Sequence, residues 1–272
     1  MVDNIVIVRG GGDIASGAIQ KLYRSGFRVL VLDIEKPTFI RRKVCFGEAV
    51  YEGETTLEDI TSKHIGSIEE TLEVWREGKI PVLIDSKGDC IKKLKPKVVI
   101  DAILAKRNLG TTMDMADITI ALGPGFEAGK DVHAVIETMR GHNLGRLIVD
   151  GRAAENTGVP GEIKGVSKER VIYSPCEGII NNLRDIGDIV KKGEVLAQVE
   201  SEAVKATIDG VLRGIIRDKF HVTRGLKIAD IDPRLSEQEN CFTISDKSRA
   251  IGGAVLEAVL YLLNKDLKKV NN

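Results

Sequence analysis

The sequence predicts an α/β chain: a parallel sheet covered by helices, followed by a small all-β domain. Three observations predict it. Aromatic residues make up only 4% of the 272 positions, so the core must be built from Ile, Val, Leu and Ala, which suits buried parallel strands under helices. Short apolar runs alternate with helical stripes through the first half. Residues 174–200 then align without gaps, 32 positions on, with residues 206–232, a duplication rich in short strands and glycine turns. The length leaves room for about two domains of roughly 150 residues each. With 43% apolar and 29% charged residues, the chain is neither disordered nor collagen-like. Lys+Arg equals Asp+Glu at 40 each, which gives no overall attraction to nucleic acid or an anionic membrane and directs attention to small molecules and proteins as partners.

Ile5 to Val8, the glycines Gly10, Gly11 and Gly12, and Ile14, Ala18 and Leu22 up to Gly26 read as strand, tight turn and helix. RVLVLD (28–33) is a second buried strand ending in an acid. Residues 36–66 fit the alternation least and are expected to form an inserted hairpin. Ser67 and Glu70 have capping-box spacing ahead of the stripe Ile68, Leu72 and Trp75, and Gly78 and Pro81 end that helix before IPVLID. VVIDAIL (98–104) and ITIALGPG (118–125) read as strands. Asp131 is predicted to cap a helix running through Met139 and ending at Gly141. This alternation argues for a Rossmann-like α/β domain over residues 1–167.

In the duplicated part, Gly178 falls on Gly210, Val190 on Val222, Gly193 on Gly225 and Leu196 on Ile228. Residues 168–235 are therefore expected to be two intertwined halves of a β-sandwich, each covering the other's apolar face, similar to the biotinyl/lipoyl-like barrel-sandwich hybrid. Lys205 lacks the flanking residues of a carrier lysine, so a structural or docking module is the preferred reading. Residues 236–272 resume α/β character. Ala250, Ile251, Ala254, Val255, Ala258, Val259, Leu262 and Leu263 form a stripe expected to return to the α/β domain.

Chemistry concentrates at a few places. Gly10-x-Gly12-x-x-Ala15 lies between a strand and a helix, with Asp33 at the end of the next strand. The glycines would let the backbone approach a pyrophosphate, the helix N-terminus would attract it, and Asp33 would accept from ribose hydroxyls; the alternative is a plain tight turn. Asp13 in the same loop opposes a phosphate unless it caps the helix or meets another group. Lys106, Arg107 and Asn108 follow a strand, and two cations with an amide suit an anionic, hydrogen-bonding ligand, the alternative being a solvated basic loop. Gly123 and Gly125 in LGPGF allow close backbone approach. Cys241 precedes Lys247 and Arg249 and is the candidate thiol with a depressed pKa, a soft ligand or a carrier of sulfur or selenium; the alternative is a buried small residue. Cysteines 45, 90, 176 and 241 include no C-x-x-C and lie at no ligand spacing from histidine, so no metal site and no disulfide framework are expected. The N-terminal apolar run is too short for a signal segment and residues 250–263 too short for a membrane span, so a cytoplasmic chain is expected.

VRGGGDIASG (8–17), DAILAKRNLGTTMDMADITIALGPGFEAGKDVHAVIETMRGHNLGR (101–146), NTGVPG (156–161), GLKIADIDPR (225–234) and CFTISDKSRAIGGAVLEA (241–258) together resemble the YqeB-type accessory proteins of selenium-dependent molybdenum hydroxylase systems, themselves distantly related to the XdhC/CoxI group. The resemblance spans nearly the whole chain. It implies a maturation factor that binds or modifies a molybdopterin-type cofactor and helps to load it into a molybdenum hydroxylase apoprotein. Gly10, Gly11 and Gly12 would hold phosphate, Lys106 and Arg107 would neutralise it, Asn108 would meet the pterin, and Cys241 would approach the metal. A rival from another class is an NAD(P)-binding oxidoreductase using the same glycine turn and Asp33, although no histidine or tyrosine stands in a recognisable proton-donor context. A docking protein with a vestigial nucleotide fold is a third reading. Monomer and homodimer both remain open.

Overall fold

The computed structural model describes residues 4–158 and 161–270, without the side chains of 266–270; Val159 and Pro160 of the NTGVPG stretch lie outside the described residues. The chain divides into two compact units, one of residues 1–37, 46–156 and 244–272, the other of residues 38–45 and 157–243.

The first unit opens with β1 (Ile5–Arg9), α1 (Asp13–Arg24) and β2 (Arg28–Asp33). It continues through α2 (Ala49–Glu52), β3 (Glu54–Leu57), β4 (Ile60–Ile65), α3 (Thr71–Arg76), β5 (Ile80–Ile84), α4 (Asp89–Leu94) and β6 (Val98–Asp101). After β7 (Ile118–Leu122) come β8 (Glu127–Ala128), β9 (Ala134–Ile136), β10 (Leu147–Ile148) and β11 (Gly151–Arg152), and after the second unit α5 (Asp246–Val270). Gly26, at φ +85°, supplies the left-handed turn after α1. Ser67 and Glu70 close their capping box ahead of α3.

The Rossmann-like expectation is corrected here. The sheet has nine strands in the order β10-β9-β7-β6-β1-β2-β5-β4-β3, and it is mixed: β3 and β10 run antiparallel at the two edges. β4 and β3 extend the sheet beyond β5, and β10 extends it beyond β9, so the sheet is wider than a six-stranded doubly wound one and antiparallel at both edges. Residues 131–139 form no helix. Asp131 accepts the Glu127 N–H at 2.9 Å and closes a local turn instead, and Val132, Ala134, Val135 and Ile136 are all buried. Burial on every side of a β-branched run favours a central strand over an amphipathic helix, and β9 accordingly pairs in parallel with β7.

Helices α1 and α5 lie in backbone contact. A Cβ at Gly17 would stand 2.0 Å from the Ser248 carbonyl oxygen, and one at Gly252 would stand 2.3 Å from that of Gly17. The α5 stripe is buried at Ile251, Ala254, Val255, Ala258, Val259 and Leu262, whereas Ala250 is exposed. The opposite face of the sheet is covered by Val74, Cys90 and Ile91 packed on Ile5, Ile7, Leu30, Leu32 and Val99.

The second unit contains β12 (Val171–Tyr173), β13 (Gly178–Asn182), β14 (Ile189–Val190), β15 (Val195–Val199), β16 (Glu202–Lys205), β17 (Gly210–Ile215), β18 (His221–Val222) and β19 (Lys227–Asp232). They form two antiparallel four-stranded sheets, β12-β19-β17-β14 and β16-β15-β13-β18. The 32-residue offset carries β13, β14 and β15 onto β17, β18 and β19. Each repeat lends its middle strand to the other repeat's sheet, β14 to β17 and β18 to β13. The biotinyl/lipoyl-like assignment is corrected: the tip of the β15–β16 hairpin is Glu200-Ser201, and Lys205 pairs with Val195 at its far end, so no lysine stands on the tip. Nor are the repeats self-contained, because residues 38–45 join this unit. Arg41 donates to the Asn240 and Thr243 carbonyls, and the Ile40 carbonyl lies where a Cβ on Gly214 would fall, at 2.8 Å.

Candidate functional site

Strands β1, β2, β6, β7 and β9 run the same way, so their carboxyl ends share one rim of the sheet. Every candidate residue except Cys241 follows or ends one of these strands. Open α/β sheets bind ligands at such a rim, because connecting loops and helix N-termini collect there.

The glycine turn after β1 is closed on the protein itself. Gly10, at φ +95°, donates to the Leu32 carbonyl at 2.7 Å, and a Cβ on it would stand 2.8 Å from the Ala102 carbonyl oxygen. The Gly11 N–H donates to Asp33 Oδ2 at 2.7 Å, and the Gly11 carbonyl accepts the Gly47 N–H at 2.9 Å. Gly12 is the N-cap of α1, with its carbonyl accepting from Ser16; Asp13 opens the helix and Ala15 is buried. Asp33 Oδ1 accepts the Ile34 N–H at 2.8 Å. Burial pushes the Asp33 carboxyl above its ordinary range, with the Gly11 and Ile34 amides opposing the rise. Both oxygens expected to receive ribose hydroxyls thus serve the backbone, and the amide expected to meet a pyrophosphate meets Asp33.

Beside it, Arg9 at the end of β1 is in register with Asp101 at the end of β6. Arg9 donates to Thr111 Oγ1 at 2.5 Å and to the Ser86 carbonyl at 3.1 Å, and the Thr111 hydroxyl donates to Asp101 Oδ2 at 2.6 Å. All three side chains are buried, so this network fixes the return of the loop after β6. Burial raises the Asp101 pKa, while Thr111, the Ile103 N–H and Arg9 hold it back. Asn108 completes the loop: its Oδ1 accepts the Gly110 and Thr111 N–H groups and its Nδ2 donates to the Thr111 carbonyl, each at 2.8 Å. Leu104 and Lys106 adopt left-handed backbone at φ +59° and +61°, a strained arrangement for non-glycine residues.

Lys106 and Arg107 are exposed, and neither makes a hydrogen bond or an ion pair among the described residues. The turn after β7 backs onto them. A Cβ on Gly125 would stand 2.7 Å from the backbone of Arg107, and one on Gly123 would stand 2.5 Å from Thr138 Oγ1. The structure therefore brings Lys106, Arg107, Gly123 and Gly125 together.

A residue outside the expected set, Lys247, also reaches this rim. The Ser248 hydroxyl faces the Asp13 and Ile14 carbonyls at 2.8 and 3.0 Å and accepts the Gly17 N–H at 2.9 Å, seating the start of α5 on the start of α1. On the other side Asp246 pairs with Arg140 at 2.7 Å. Lys247 is half-buried between them, without hydrogen bond or ion pair among the described residues. Burial lowers its pKa, opposed by Asp13 and assisted by Arg140. Only tertiary contact reveals the position of the Ser-Asp-Lys-Ser-Arg run at the start of α5.

Cys241 belongs to the second unit. It lies in the turn Glu239–Phe242 at 1% exposure, within the apolar core around Leu212 and Ile231. Burial pushes its thiol up, against the pull of Arg41 and Arg213, so no depressed pKa is found. Lys247 and Arg249, its expected activators, belong to the first unit. Among the described residues no group of three His, Cys, Asp or Glu side chains is placed to hold a metal, and no helix is long and apolar enough to cross a membrane.

Fold and rim together define an α/β unit with a polar rim at the carboxyl ends of its parallel strands, and the second unit is antiparallel β. No protein-family model matches the chain. It is 50% identical over 264 residues, 97% of its length, to the uncharacterized protein YqeB of Escherichia coli K12, and it spans about half (49%) of that relative. The YqeB-type resemblance of the sequence thus extends along almost all of this chain. Among solved structures, the chain is similar to the ectoine utilization protein EutE (DoeB) of Ruegeria pomeroyi, at 8% identity and a TM-score of 0.27 over 83% of this chain and 85% of that one. It is similar also to an aspartoacylase family protein of Mesorhizobium loti, at 16% identity and TM-score 0.25 over 75% and 57% of the two chains. A succinylglutamate desuccinylase from Silicibacter gives 11% identity and TM-score 0.25 over 84% of each. At such TM-scores the likeness carries no argument about activity.

Proposed function

We propose that this chain is an accessory factor that binds a phosphate-bearing molybdopterin-type cofactor as cargo and assists its delivery to a molybdenum hydroxylase apoprotein. The observation that carries the reading is the pair of exposed cations Lys106 and Arg107, without hydrogen bond or ion pair among the described residues, held on a strained loop against the Gly123–Gly125 turn at the carboxyl rim. A cation without a protein partner, on a loop fixed from beneath by Arg9, Thr111 and Asp101, is preorganised for an anion. The YqeB-type resemblance supplies the ligand class. The residues fit the anionic end of such a cargo. They do not fit the thiolate role, since Cys241 is a buried neutral thiol; sulfur or selenium transfer by it is not part of the proposal. Asn108 is likewise committed to its own loop.

The NAD(P) reading has less support, because Asp33 and Gly11 satisfy each other. The test is native mass spectrometry of protein purified from a molybdenum-cofactor-competent host, beside a Lys106→Ala/Arg107→Ala variant. A bound molybdopterin species that the variant loses by about tenfold or more, as removal of charged hydrogen-bond donors requires, supports the reading. Equal loading of both proteins, or a bound nicotinamide dinucleotide, overturns it.

A further inference from the structure

The rim has two electrostatically different ends. At one, Lys106 and Arg107 stand exposed and, among the described residues, unpaired. At the other, the charge of Lys247 is influenced by the carboxylates of Asp13, Glu137 and Asp246 and by the Arg140 guanidinium. Glu137 is buried, with its two oxygens accepting the Met139 and Ala154 N–H groups, each at 2.7 Å. Asp246 is paired with Arg140. The surroundings of Lys247 are therefore not cationic, and a phosphate gains nothing there. Yet Lys247 is half-buried and makes no hydrogen bond or ion pair among the described residues, which is costly for an amine unless something else accepts from it. The group that suits it is an uncharged acceptor, above all a carbonyl oxygen.

We propose that Lys247 is a ligand-contacting residue that meets a carbonyl-bearing ring or chain, while Lys106 and Arg107 take the phosphate of the same molecule. This deepens the proposed function and rests on it, since it assigns the two ends of one ligand to two ends of one rim. Its position is rigid: Ser248 locks α5 onto α1 on one side, and the Arg140–Asp246 pair ties the segment after β9 on the other. The Gly123–Thr138 contact joins that segment to the β7 turn, which in turn backs onto Arg107. Lys247 carries a primary amine, so a carbonyl placed against it can be trapped covalently as an imine.

The probe is pyridoxal phosphate, which joins an aldehyde to a phosphate, with pyridoxal as the phosphate-free control. The amine adds to the aldehyde and loses water to give an imine, and added borohydride reduces the C=N bond to a secondary amine that peptide mass spectrometry locates. The expected result is labelling of Lys247 several-fold above the other lysines. Pyridoxal should label it less, and Lys106→Ala/Arg107→Ala should lower pyridoxal phosphate labelling about tenfold while leaving pyridoxal labelling unchanged. Phosphate-dependent labelling of Lys106 with none on Lys247 overturns this inference and leaves the anion site standing. Labelling of Lys247 that is equal with both reagents removes the link to the phosphate site and overturns it too. Absence of any preferred lysine overturns both readings. Lys247→Met, checked for native unfolding behaviour, identifies the labelled peptide.

Discussion

Asp33 Oδ2 accepts the Gly11 N–H at 2.7 Å, so the anion held by the glycine turn after β1 is supplied by the next strand of the same sheet. The turn keeps the glycine pattern of a phosphate loop for a different reason. Gly10 must pass 2.8 Å from the Ala102 carbonyl, and Gly11 must pass Gly47, where a Cβ would stand 2.6 Å from its Cα. Replacing Asp33 by Ala should destabilise the first unit by about 1.5–3 kcal/mol, the range for a hydrogen bond to a charged group, measured by urea unfolding. Anion affinity at Lys106 and Arg107 should be unchanged. Loss of dinucleotide binding in this variant, with stability intact, would return to Asp33 its ribose role.

Contact between α1 and α5 gives a second expectation. Gly17→Ala or Gly252→Ala places a methyl group on a carbonyl oxygen at 2.0 or 2.3 Å, and each should cost about 3 kcal/mol through forced separation of the helices. The urea midpoint of the first unit reads this directly. A change within experimental scatter would mean that the helices are not seated as described.

Glu58 governs an acid transition. Burial would raise its pKa, but Gln20, the Ile244 N–H and Arg249 together hold it below the ordinary glutamate value of 4.5. A carboxyl that is more acidic in the folded state stabilises the fold fully above its ordinary value, and that contribution is lost as pH falls below 4.5 towards the folded value. Glu58→Gln should lower stability at pH 7 by about 1 kcal/mol or more and flatten the loss between pH 5 and pH 3. Thermal unfolding across that range is the measurement, and an unchanged slope would count against the assignment.

Cys241 should be inert in the native protein. Its thiol is buried and held above the ordinary cysteine range, so alkylation by iodoacetamide at pH 8 should await unfolding, and Cys241→Ala should retain full cargo binding. Rapid native alkylation of this cysteine would contradict its placement.

Much of the first unit was legible because its signals are local. The all-apolar β1, the four-residue stripe of α1 and the Ser67–Glu70 capping box each declare themselves within a few residues. The 131–139 segment was not, because Val132, Val135 and Ile136 have a spacing compatible with a helix, and only pairing with Ile120 to Leu122 makes them a strand. The place of β5 between β2 and β4 is a long-range pairing with no local mark, whereas the antiparallel edge β3–β4 is a local hairpin of the kind expected within residues 36–66. At the rim, glycines and cations were visible as residue types. What they do depends on contacts across 22 positions for Asp33 and Gly11 and 235 for Ser248 and Asp13, which spacing cannot encode.

The seat of α5 on α1 also sets a timetable. During synthesis the strands and α1 of the first unit emerge early, but the helix that covers this face is specified only after the entire second unit has been made. The β unit can close while its predecessor still waits with an apolar flank open to chaperones or to wrong partners. Shortening the chain within α5 would then make that exposure permanent, so yield in the cell should suffer more from losses there than from equal losses in any surface loop.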